Sequence, residues 1–147
     1  MEDLDRYLEE IVNPTVQDFV EHPTSVRHAF LACAVTFHAV DYRAHPRAPQ
    51  TLRQQWRSRS EAFRRVDEVA HAFKHVATYR QNQARLVARA IISRPPAVAG
   101  VMECGLSLIG DVTGAVTLQE DTTINLLEVV HDAVRFLRTQ IAAGRTG

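Results

Sequence analysis

Three stretches of this chain, at 23–43, 60–77 and 123–143, carry apolar residues every three or four positions, the spacing of packed helices. In the first, Val26, Ala29, Phe30, Cys33, Phe37 and Val40 form one stripe, and Leu31, Ala34, Val35 and His38 fill a second. A helix apolar nearly all round is a buried one. In the second, Phe63, Val66, Ala70, Phe73 and Ala77 make a seam. In the third, Ile124, Leu127, Val130, Val134, Leu137 and Ile141 recur in a heptad-like row. Leu126, Val129, Ala133 and Phe136 widen that row enough to pack on both other helices or to serve a dimer interface.

The punctuation between these stretches sets the rest. Residues 2–12 read as a short helix with Leu4, Tyr7, Leu8 and Ile11 inward, and Asn13-Pro14 reads as its end. Another turn or two covers 15–21, and Pro23 reads as the first residue of the next helix. The two prolines of 44–49 (AHPRAP) predict a loop, followed by a short helix at 50–57. That helix carries Trp56 as a core anchor and Arg53 and Arg57 on one edge. Ser58 and Glu61 have the spacing of a capping box opening the 60–77 helix.

Beyond Tyr79 the pattern changes. Residues 84–92 fit helix or strand, and 105–119 alternate with β-branched residues and glycines, the 110–114 segment (GDVTG) reading as a hairpin turn. The fold class expected is mainly α. It is a four- to five-helix bundle with a small antiparallel hairpin or meander at about 85–119. Asp121 then caps the C-terminal helix and Gly144 stops it.

A chain of 147 residues, 46% hydrophobic and 23% charged, is long enough for one real core. The expectation is a single domain over 1–147: a helical part at 1–84, the β-meander at 85–119, and a helix at 120–144 packing back on the bundle. No run approaches the roughly 20 apolar residues of a membrane helix, and the acidic start is unlike a signal peptide. A cytoplasmic, bacterial-type domain with no membrane partner and no cofactor is expected. Cys33 and Cys104 lack metal-site spacing and read as reduced thiols.

Charge is unevenly spread. Residues 1–21 hold seven acids and one arginine, net −6; 22–94 hold thirteen bases and four acids, net +9; 95–147 hold six acids and three arginines, net −3. The acidic N-terminal helix is therefore expected to cover the basic segment around Arg53 to Lys74. Left uncovered, the basic 53–75 segment would suit RNA or another anionic ligand.

The chemistry concentrates on the flank of the 60–77 helix, which carries Arg64, Asp67, Glu68, His71, Lys74 and His75, with Arg64, Asp67, His71 and His75 at three- to four-residue steps. Three readings apply. In the first, the flank is an internal network, Arg64 with Glu68 and His71 with Asp67, inside a non-enzymatic interaction or assembly module, most simply a homodimer. In the second, His71 and His75, at i and i+4, offer one metal ion two imidazoles. The third starts from the spacing of arginine and histidine: five residues separate Arg65 from His71, and six separate Arg64 from His71. This resembles the Arg-x(4–6)-His motif of the HEPN superfamily of small helical domains. The resemblance implies a metal-independent ribonuclease or RNA-binding domain working at a dimer interface. His71 would act as general base on a ribose 2′-OH, and Arg64 or Arg65 would hold the scissile phosphate.

Overall fold

A computed structural model of the chain describes residues 3–75, 77–80 and 83–145. The mainly α fold expected from the apolar spacing is what it shows. The first helical rod comprises α1 (Asp3–Tyr7), a π turn (Leu8–Val12) and α2 (Asn13–Glu21). The break expected at Asn13-Pro14 does not occur. Proline has no N–H to donate, and its ring crowds the carbonyl four residues back. The helix accommodates it by widening: the Asn13 N–H donates to the Leu8 carbonyl, five residues back, and the rod continues. Glu2, placed in the first turn by the sequence, lies outside the described residues.

Helix α3 (Val26–Ala44) begins after Ser25, whose hydroxyl accepts the His28 N–H at 3.3 Å, so Pro23 is in the preceding turn and not in the helix. The buried face of α3 is made of small residues, Ala29, Ala32, Cys33, Thr36 and Ala39 with Val40, which lets its neighbours approach closely. Helices α4 (Gln50–Arg59) and α5 (Glu61–His75) are joined by one residue, Ser60. Its N–H donates to the Trp56 carbonyl and closes α4, while its hydroxyl accepts the Phe63 N–H at 3.1 Å and opens α5. Ser60, and not Ser58, is therefore the cap. The Ser58 hydroxyl instead donates to the Gln55 carbonyl within α4.

Helix α6 (Leu126–Arg145) packs on α5, α3 and α2. It starts later than expected: Asn125 caps it through the Leu127 N–H at 3.0 Å, while Asp121 caps only the preceding turn at Thr123. It also runs through Gly144 without stopping there. The core centres on Trp56, which meets Phe63 edge-on at 5.2 Å and Phe136 at 5.9 Å. Full burial of a side chain of this size contributes roughly 3 kcal/mol.

Ahead of the C-terminal helix, where a small antiparallel hairpin or meander was expected, the β structure among the described residues is two antiparallel pairs. Strands β1 (Ala77–Arg80) and β2 (Gln83–Val87) form a hairpin directly after α5. After a short 3₁₀ turn (Ala88–Ala90), β3 (Ile91–Arg94) pairs with β4 (Ala115–Leu118), Ile91 opposite Leu118 and Arg94 opposite Ala115. The 110–114 segment is not by itself a tight hairpin turn. It is the end of a long loop, 95–114, that leaves β3 and returns to β4. Among the described residues, no helix is long and apolar enough to cross a membrane.

The acidic N-terminal rod does not cover the basic segment. It packs on α3 and α6, and its acids pair locally: Glu10 accepts from Arg6 at 3.0 Å and Glu9 from Arg138 of α6 at 3.2 Å. Within the basic segment, Arg53, Arg57, Arg64 and Arg65 pair instead with that segment's own acids, Glu61, Asp67 and Glu68.

Candidate functional site: the α4–α5 flank and the 95–114 loop

The centre of the α5 flank is Asp67, whose side chain is completely buried. Because one residue joins α4 to α5, the arginine edge of α4 lies alongside it. Arg53 donates to both Asp67 oxygens, Nε to Oδ2 at 3.0 Å and Nη2 to Oδ1 at 2.7 Å, and Arg57 donates to Oδ2 through Nη1. Two guanidiniums on one acid supply the charge and the hydrogen bonds a buried carboxylate requires. Arg57 also reaches Glu68 at 3.2 Å, which accepts from Arg64 at the same distance. Phe37 of α3 backs the cluster: the Arg53 guanidinium carbon lies 5.2 Å from its ring centroid.

His71 sits one turn beyond Asp67. Its Nδ1 is 2.9 Å from the Asp67 carbonyl oxygen and 2.8 Å from Asp67 Oδ1. Both are acceptors, so Nδ1 carries the proton and Nε2 carries the lone pair. The ring meets Phe37 edge-on at 4.9 Å. Burial lowers the His71 pKa below its usual 6.5. The carbonyl and carboxylate of Asp67 pull the other way, while Arg53 and His75 add to the lowering. At pH 7 it is a neutral, orientated base whose side chain is about a quarter exposed.

The other residues singled out by sequence are placed differently. Arg64 and Arg65 both donate to Glu61, through Arg64 Nε at 2.9 Å and Arg65 Nε at 3.1 Å. Arg64's hydrogen bond holds the Glu61 carboxyl below the usual range. At 100° per residue, Arg65 lies about 120° round the helix from His71. Arg64 lies in line with it but about 10 Å along the axis, with Glu68 between. Within one chain, neither arginine meets His71. His75 is exposed, its ring centroid 5.9 Å from that of His71. Among the described residues, no group of three or more His, Cys, Asp or Glu comes together as a metal cage.

Sequence reasoning paired His71 with Asp67 and Arg64 with Glu68 and both pairs are present, but it missed that Asp67 is the hub for Arg53 and Arg57. The signal was available in the i, i+4 spacing of the two arginines facing the adjacent acids 67 and 68 across a tight helical hairpin.

A second region of chemical interest is marked by exposed apolar side chains. Four of the seven large hydrophobic side chains exposed among the described residues fall in the 95–114 loop: Val101, Met102, Ile109 and Val112, with Ile109 fully exposed and Val112 70% exposed. The loop is firmly held. Arg94, only 4% exposed, donates to Asp111 Oδ2 at 2.9 Å through Nη2 and to the Thr122 carbonyl through Nη1. Asp111 Oδ1 accepts the Gly114 and Thr113 N–H groups at 2.9 and 3.1 Å, and its carbonyl accepts the Ala97 N–H at 2.6 Å. The Ser107 hydroxyl donates to the Pro95 carbonyl at 3.0 Å. Burial alone would raise the Asp111 pKa; the Arg94 bonds and the two N–H donors outweigh it and lower it. Gly114, at φ +70, closes the loop where a Cβ would stand 2.6 Å from the Arg94 carbonyl oxygen.

Compared with known proteins, the chain matches no family model, and no curated protein or solved structure gives a significant match.

Proposed function

We propose that the protein is a non-enzymatic interaction and assembly module that forms a homodimer through the apolar crest of its 95–114 loop. The observation that carries this reading is the loop itself: four large exposed apolar side chains on one segment fastened by the Arg94–Asp111 ion pair. Scattered exposed hydrophobics are ordinary, whereas a concentrated set on one fastened segment marks a contact surface. A second copy fits as the occupant because the formal net charge is zero, so no long-range repulsion opposes self-association. The α5 flank supports the same reading from the other side, since its arginines and acids are engaged with one another.

The test is light scattering across a concentration series. The wild type is expected to shift from monomer to dimer, and Ile109→Asp combined with Val112→Asp to remain monomeric with an unchanged circular dichroism spectrum. A wild type that stays monomeric throughout, or a double variant that dimerises as well as the wild type, overturns the proposal.

One observation favours a second reading, the HEPN-like ribonuclease. His71 is neutral near pH 7, with its tautomer set by Asp67 and its Nε2 lone pair available, as a general base on a 2′-OH requires. In that reading an arginine of the second copy supplies the phosphate contact. Cleavage of an RNA oligonucleotide in the presence of a chelator, lost in His71→Ala and Arg65→Ala without loss of folding, supports it. Absence of cleavage by the wild type removes it.

A further inference from the structure

We propose that the groove between the N-terminal rod and the end of α3 binds the guanidinium group of an arginine presented by a basic polypeptide. The groove encloses about 590 Å³, within the range of small-ligand sites. Its floor is a stacked pair: the Tyr42 ring lies on the Tyr7 ring, centroids 3.9 Å apart and 16° from parallel. Tyr7 is buried and anchored by its hydroxyl, which donates to the Val35 carbonyl at 2.8 Å. Tyr42 is 45% exposed. One face of its ring is covered by Tyr7, and the ring lines the groove. Asp3, Glu10 and Asp41 line the walls, against one arginine, Arg6. The 19-residue α3 also ends here, and the partial negative charge of its last carbonyls adds to theirs.

An aromatic face beside carboxylates, at a helix carboxyl end, suits a cation that is planar and weakly hydrated. Guanidinium meets both conditions, whereas ammonium, tetrahedral and strongly hydrated, meets neither. The protein already uses this arrangement internally, where Arg53 lies over Phe37 and forks onto Asp67. The wall acids are able to exchange partners. The Arg6–Glu10 pair (3.0 Å) and the His38–Asp41 pair (2.8 Å) are both solvent-exposed, and exposed pairs hold weakly. The groove shares no residue with the 95–114 loop, so the inference goes beyond the dimer contact and does not depend on it.

The experiment is a calorimetric titration of the full chain with three probes: a short uncharged-spacer peptide carrying two arginines, the same peptide with lysines, and acetyl-arginine amide. It is run on the wild type and on the monomeric Ile109→Asp/Val112→Asp variant, which separates this site from the loop. The arginine peptide is expected to saturate with a Kd below about 1 mM in both proteins. Tyr42→Leu, which keeps a cover over Tyr7, is expected to weaken it about tenfold, and Asp41→Asn about threefold, with melting temperatures unchanged. Absence of saturation, or affinity untouched by both substitutions, overturns the proposal. Equal affinity for the lysine peptide overturns the guanidinium assignment. Equal affinity for acetyl-arginine amide overturns the polypeptide as source in favour of a small guanidinium compound.

Discussion

The flank of α5 and the 95–114 loop reverse the usual relation between composition and exposure. The flank holds the chain's densest run of ionisable groups, yet its central carboxylate is completely buried and its arginines are engaged by neighbouring acids. The loop holds few charges, yet it carries Ile109 wholly in solvent. In the flank, unfavourable desolvation is offset inside the chain by paired charges. In the loop, apolar surface stays in water, at about 25 cal/mol per Å², and only another surface can cover it. Ionisable residues in a row therefore describe a site poorly until their partners are known. An apolar loop describes one well once it is shown to be held in place.

The sharpest way to break this contrast is at Asp67. Asp67→Ala leaves two part-buried guanidiniums without their acid, and a loss of about 3 kcal/mol is expected in urea unfolding. A loss under 1 kcal/mol would show that the flank is not a packed network at all. Next comes Gly114→Ala. The left-handed backbone costs an L-residue about 1–2 kcal/mol, and the close Arg94 carbonyl forces a further shift. A loss of about 2 kcal/mol is expected, with weakened dimerisation, because the loop's closure is disturbed. Stability unchanged by this substitution would mean the loop is not fastened as described. By contrast, the Ile109→Asp/Val112→Asp variant should change monomer stability by no more than about 0.5 kcal/mol per site.

The smallest effect expected is the pH dependence from His71. Its folded pKa lies below the ordinary 6.5, so the unfolded chain binds the proton more readily. The resulting stability is fully present above 6.5 and declines as pH falls through that value toward the folded pKa. Urea midpoints at pH 7.5 and 5.5 should differ in that direction, and His71→Gln should reduce the difference. A midpoint that rises on acidification would contradict the neutral, donating His71.

Much of the helical frame was legible because local pattern carries it. The seams of α5 and α6 and the anchoring role of Trp56 follow from three- to four-residue apolar spacing. Errors came where a local signal had two outcomes. Asn13-Pro14 can end a helix or widen it, and packing of Leu8, Val12 and Val16 in the core favours the continuous rod. Ser58 and Ser60 both suit a cap, and the one-residue joint chose Ser60. The glycines of 110–114 suit a hairpin turn, but β4 pairs with β3 from before the long loop.

The sequence by itself determined the mainly α class, the positions of the long helices and the concentration of ionisable groups on one helix flank. Each depends on neighbours three or four residues apart. Only the tertiary structure decided that Asp67 would be buried beneath Arg53 and Arg57, that the acidic N-terminal rod would go to α3 and α6, and that Val101, Met102, Ile109 and Val112 would stand outside. Those outcomes depend on which surfaces meet across the fold, and a charge or an apolar side chain carries the same local signal whether its partner is present or not.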